Sequence, residues 1–160
     1  MNTQRPRRIA FLLAQLGADA SAAFESALLP LGLTMSEAGL MRLVGLNPGI
    51  SQKKASEHLG VGPSRVVSVL DRLEHRGHLE RRPSKIDRRS HELHLTPEGE
   101  KVLAELRPIA KAHEAAFTQG LDESELDQLA ASLDAIATTR GLSRDVHANT
   151  RASTDNSPKP

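Results

Sequence analysis

Residues 51–99 read SQKKASEHLGVGPSRVVSVLDRLEHRGHLERRPSKIDRRSHELHLTPEG, and this stretch decides the fold. Ser51 is a natural N-cap, and Ala55 and Leu59 recur behind it at helical spacing, so a short helix starts there. Gly60 ends that helix. Gly62-Pro63 opens another, because proline suits the first helical position, where no N–H donor is needed. Val66, Val69, Leu70 and Leu73 then form one apolar face. Two helices joined by the tight turn Gly60-Val61-Gly62 make a helix-turn-helix pattern. Beyond Gly77, residues 79–83 and 91–95 read as two short strands. In the second, Leu93 and Leu95 alternate with Glu92 and His94. The charged segment Ser84 to Ser90 joins the strands.

The polar side of the second helix shows Ser64, Arg65, Ser68 and Arg72, which share a face at spacings of three and four. The N-terminal residues of such a helix enter the major groove of a duplex. Arg65 has the chemistry for a bidentate contact to guanine. Ser64 and Ser68 are small enough to allow close approach. Arg72 lies farther along and suits a phosphate contact or a salt bridge to the neighbours of Asp71. Lys53 and Lys54 sit in the first turn of the preceding helix, where cations oppose the helix dipole. A phosphate docked there would reverse the sign of that effect. The segment from Arg81 to Arg89, with Lys85, Arg88 and Asp87 between, can present arginine to a minor groove. Asp87 would then orient a neighbouring arginine. The plainer reading of each cation is a solvated surface charge.

Charge supports the sharper reading. The chain of 160 residues has a net charge of only +1. Residues 51–91, however, hold ten basic and five acidic residues, whereas residues 92–140 hold four basic and ten acidic. A chain polarised in this way attracts polyanions to one region and repels them from another. Other classes are excluded by composition. There is no cysteine, which removes disulfides, thiolate nucleophiles and Cys-based zinc sites. Three phenylalanines, with no Trp or Tyr, leave no platform for stacking single-stranded bases. Phosphate-cradling glycine loops, nucleophile elbows and HExxH are missing, so an enzyme is not expected. No apolar run approaches the ~20 residues of a membrane span. The N-terminal apolar stretch is interrupted by Gln15 and Asp19, which does not suit a signal peptide. A soluble cytoplasmic protein is expected.

Outside the central stretch, residues 7–29 read as a helix whose stripe is Ile9, Leu13, Leu16, Ala20, Ala23 and Ala27, widened by Leu12, Phe24 and Leu28. Thr34 with Glu37 forms a capping box for a helix from Met35, with Leu40, Leu43 and Val44 inward. Thr96-Pro97 caps a long helix to about Thr118, and Asp122 with Glu125 caps a last one lined by Leu126, Leu129, Leu133 and Ile136. Residues 141–160 are polar, lack periodicity and read as a disordered tail. The chain therefore divides into 7–33, 34–96, 97–140 and the tail 141–160. The end helices carry more apolar surface than one subunit can cover, so a second copy is expected to bury it.

The stretch Asp71 to Gly99 resembles the MarR family of winged-helix transcription regulators. The resemblance rests on DRLEHRG at 71–77, Asp-Arg-Arg at 87–89 and Leu-Thr-x-x-Gly at 95–99, with LGLTMSEAGLMRLV upstream. It implies a mainly α fold with a small β wing: a winged helix-turn-helix flanked by N- and C-terminal dimerisation helices. It also implies a homodimer that reads a pseudo-palindromic DNA duplex. Ser51, Gln52, Lys53 and the recognition helix would meet the major groove, and Arg89, aided by Asp87, the minor groove. Repression released by a small phenolic or aromatic ligand follows from the same resemblance, with no other cofactor. Phe11, Phe24, Met41 and His113 are candidates to line that ligand site, although Met and Phe on helices are more often core. Two rival readings stand beside it. One is a metal-responsive regulator using His75 and His78 or His91 and His94. The other is a winged helix turned to protein contact.

Overall fold

In the computed structural model, which describes residues 8–84 and 90–142, every foreseen cap closes on its helix. Thr34 Oγ1 accepts the Glu37 N–H at 3.2 Å, Ser51 Oγ that of Lys54 at 3.2 Å, Thr96 Oγ1 that of Gly99 at 3.0 Å and Asp122 Oδ1 that of Glu125 at 2.9 Å. Each such cap satisfies a backbone donor that its helix leaves open and stabilises it by about 1 kcal/mol. The helices they start are α2 (Met35–Leu46), α3 (Gln52–Leu59), α5 (Pro97–Phe117) and α6 (Glu123–Thr139). Helix α1 spans Ile9–Leu28 and runs into a 3-10 turn at Leu29–Leu31, where Pro30 sits at the first or second position. Helix α4 covers Pro63–His75.

The strand expectation holds to the residue for two strands and misses a third. With β1 at Ile50–Ser51, β2 is Leu79–Pro83 and β3 is His91–Leu95, in antiparallel order β1-β3-β2. Strand β1 was invisible because two residues show no alternation. It pairs Ile50 with Leu93 and Ser51 with Glu92, and the Gly49 N–H reaches the Leu93 carbonyl at 2.9 Å. Ser84 donates its N–H to Ser90 at 3.0 Å, so the hairpin stays paired beyond β2 and β3.

The core gathers where α2, α4 and α5 meet the sheet. Leu40, Met41, Leu43, Leu70, Leu73 and Leu93 are all fully enclosed there. Burying side chains of this size contributes about 1.5–3 kcal/mol each. The apolar stripe of α1 is covered only at its C-terminal end, by Phe24 and Leu28. Ile9, Leu13 and Leu16 are open to solvent. No residue of α6 is buried. Among the described residues, no single helix is long and apolar enough to cross a membrane.

Candidate nucleic-acid interface

The turn of the helix-turn-helix is pinned by a side chain that sequence reasoning passed over. Ser56, buried on α3, donates its hydroxyl to the Val61 carbonyl at 2.7 Å, while Gly60 takes a left-handed conformation (φ 59°) at the end of α3. The Val61 N–H closes back on the Ser56 carbonyl. These bonds fix the angle between α3 and α4. In the sequence, a serine four residues before Gly60 carries no signal that it closes the turn.

On this frame the expected residues fall as follows. Ser51 is the α3 cap, Gln52 is half-buried beside it, and Lys53 and Lys54 are exposed in the first turn. Because Ser51 also pairs with Glu92 in the sheet, the start of α3 is tied to the outer half of the hairpin. Ser64 and Arg65 are exposed in the first turn of α4, and Ser68 follows on the same face. Among the described residues, Arg65 makes no ion pair. Arg72 behaves differently. Its Nε donates to Glu37 Oε1 of α2 at 2.9 Å and its Nη1 to Ser68 Oγ at 3.0 Å, so its ion pair runs to α2 and not to the neighbours of Asp71.

In the described part of the hairpin both arginines are paired. Pairing Arg81 with Leu93 puts its side chain on the inward face of β2. There its guanidinium meets Asp71 and, at 3.1 Å, Glu74 of α4, which ties the hairpin to the helix. Arg82 pairs with Glu80 on the same strand. Lys85, Asp87, Arg88 and Arg89 lie outside the described residues.

The ligand candidates separate. Phe24 of α1 and His113 of α5 stack with ring centroids 5.0 Å apart, and Phe117 lies 6.2 Å beyond His113. Met41 is enclosed in the core, and Phe11 is exposed under the Arg8 guanidinium at 4.3 Å. Phe117 was not foreseen. It falls four residues after His113, on the same helical face. Among the described residues no cluster of metal-ligating side chains forms; His75 is exposed and His78 is buried.

His78 ties the stability of the fold to pH. Burial, then the nearby charge of Arg76, holds its imidazole below the ordinary 6.5, against the opposing pull of Glu98 and Glu37. A folded-state value below the unfolded one means that the unfolded chain binds more protons. The contribution to stability is therefore present above about 6.5 and lost as pH falls through the lower folded value. In urea titrations, the wild type should lose stability as pH falls below about 6.5, and His78→Gln should flatten that slope. An equal slope in the variant would assign the loss to other groups.

The profile of the MarR family matches residues 31–90, from the end of the 3-10 turn after α1 to the residue before β3. A transcriptional repressor of helix-turn-helix type from Mycobacterium tuberculosis is 31% identical over 107 residues, which cover 67% of this chain and 77% of that protein. The chain belongs to the MarR family. Within that family it is a winged-helix transcription regulator and not an enzyme. A putative transcriptional regulatory protein for the hcr operon of Thauera aromatica is 32% identical over 94 residues, so the match spans 57% of that relative's length. Among solved structures, the repressor CouR bound to a 23-mer DNA duplex aligns with a TM-score of 0.75 at 30% identity, covering 85% of this chain and 99% of that one. CouR from Rhodococcus jostii RHA1 bound to p-coumaroyl-CoA aligns with a TM-score of 0.75 at 27% identity, covering 82% and 92%.

Proposed function

We propose that this MarR-family regulator works as a homodimer that represses transcription from a pseudo-palindromic duplex until a small aromatic ligand releases it. Residues 34–96 would be the reading head, 7–33 and 97–140 the dimerisation helices, and 141–160 an appended tail. Ser51, Gln52, Lys53 and Lys54 at the start of α3, with Ser64, Arg65 and Ser68 on α4, would meet the major groove and its phosphates. Lys85, Asp87, Arg88 and Arg89 would reach the minor groove. The carrying observation is that the capped start of α3 and the open face of α4 are locked into one frame, by Ser56 through the turn and by β1 through the sheet. A cationic surface held rigidly in this way suits duplex recognition, because phosphate contacts set register before base edges are read.

The ligand would sit against Phe24, His113 and Phe117, where α1 and α5 present an imidazole between two aromatic rings. The p-coumaroyl-CoA bound by CouR supports an aromatic acid or its thioester as the class.

Selection from a pool of random duplexes tests the DNA reading, with recovery of an inverted repeat expected. Arg65→Ala should then weaken binding to the selected duplex by about 1–3 kcal/mol and relax the preference at one base pair of each half-site. Recovery of no repeat, or binding that ignores salt, would turn the reading towards a protein partner, since a duplex binder loses affinity linearly in log salt.

A further inference from the structure

Glu37 is 4% exposed at its side chain, yet it belongs to neither the apolar core nor the expected DNA contacts. Its Oε2 accepts the Thr34 N–H at 2.9 Å, which completes the α2 capping box. A capping box needs no more than that. Here Oε1 also takes Arg72 Nε of α4 at 2.9 Å, and Arg76 Nη1 stands 3.8 Å from Oε2. Arg76 in turn donates to the carbonyls of Gly32 at 2.8 Å and Leu31 at 3.1 Å, just after α1. One buried carboxylate thus gathers the start of α2, the end of α4 and the segment following α1.

Arg72 is the outlet of this cluster. Its side chain is 49% exposed and lies on the α4 face that carries Ser64, Arg65 and Ser68. Held by Glu37 at Nε, it reaches along α4 to Ser68 Oγ with Nη1. A long flexible cation is therefore fixed in one direction before any duplex arrives, and a serine on the reading face is fixed with it. The two arginines beside the one carboxylate leave the cluster positive.

We propose that Glu37 is a positioning residue for DNA recognition: from its buried site on α2 it aims Arg72, and through Arg72 the hydroxyl of Ser68, at the duplex. This rests on the reading of α4 as the recognition helix. Burial alone would raise the Glu37 carboxyl, but the Thr34 and Arg72 hydrogen bonds and the Arg72 charge more than offset it. The group accordingly stays ionised and able to hold an arginine through the ordinary working range.

Electrostatics and positioning predict opposite signs, which makes the test sharp. Glu37→Gln keeps the length and the acceptor for Thr34 but adds one net positive charge. Charge alone would strengthen binding to any duplex. Loss of aim would weaken binding to the right duplex only. The experiment measures the affinity of full-length wild type, Glu37→Gln, Arg72→Ala and the double variant. The probes are the duplex selected by the wild type and a scrambled duplex of equal length. Glu37→Gln should lower the ratio of selected to scrambled affinity about tenfold, with scrambled affinity unchanged or raised. In the Arg72→Ala background it should change the ratio no further. A ratio that is unchanged or higher, an equal fall in the Arg72→Ala background, or a joint fall on both duplexes overturns the proposal. If Glu37→Gln fails to fold by circular dichroism, Arg72→Lys decides. It keeps the charge but cannot hold Glu37 and Ser68 together with one fork, so the ratio should fall, and an unchanged ratio overturns the proposal. A wild type that selects no duplex defeats the recognition reading as well. Selection by the wild type with an unaltered Glu37→Gln defeats only the role given to Glu37.

Discussion

Gly99→Ala should destabilise the chain by about 3 kcal/mol or more, the largest effect expected from any single methyl group here. Gly99 lies in the first turn of α5, where its N–H is already taken by Thr96 Oγ1. A Cβ built on it would stand 1.8 Å from the His78 carbonyl oxygen and 2.8 Å from its carbon. Both atoms are backbone, so no rotamer change relieves the overlap. The same His78 carbonyl accepts the Thr96 N–H at 3.2 Å, so moving either partner also breaks the joint between α5 and the start of β2. Native chains are stable by only about 5–15 kcal/mol, so this loss should appear as a fall of many degrees in the thermal midpoint and as a much lower urea midpoint. Gly62→Ala is the control: apart from its own residue and its chain neighbours, no described atom lies within 4 Å of its added Cβ. Equal stability of the two variants would show that α5 does not dock on His78 as described.

The contrast between these two glycines shows what the sequence can and cannot disclose. Gly99 stands out in it only as the end of Leu-Thr-x-x-Gly, a pattern without a stated cause. The cause is a carbonyl on another element, brought close by the fold. Helix ends were legible because their chemistry is local: Thr34, Ser51, Thr96 and Asp122 each bond a donor three residues on. Strands β2 and β3 were legible through alternation. Strand β1 was not, since it exists only because β3 offers it an edge. For the candidate site the division is the same. Arg65 and Ser68 could be placed on one face by counting. That Arg72 answers to Glu37, 35 residues away, could not, and neither could the inward turn of Arg81 towards Asp71 and Glu74. Counting reveals which face a side chain takes, whereas its partner across the core is set by packing.

Leu16→Asp should convert the homodimer proposed above into a monomer. Leu16 is 50% exposed on α1, in line with Ile9 and Leu13, and Leu129, Leu133 and Ile136 form a second open apolar row on α6. A helix of 17 residues with no buried side chain is marginal in water on its own, so α6 needs a surface to lie on. The described part of the same chain buries none of the α6 residues, whereas a second copy would cover both rows at once. In a two-fold dimer each substitution occurs twice across the same patch. Placing an unpaired carboxylate there costs at least about 3 kcal/mol per dimer, a weakening of association of more than roughly a hundredfold. Light scattering at micromolar protein should give the mass of one chain, and affinity for an inverted repeat should collapse towards that of a half-site. If Leu16→Asp stays dimeric and Leu133→Asp does not, the contact runs through α6 alone. If both stay dimeric, neither row is the interface. The exposed leucines would then need another partner, because surface that is apolar, aligned and left open on two separate helices is not neutral in water.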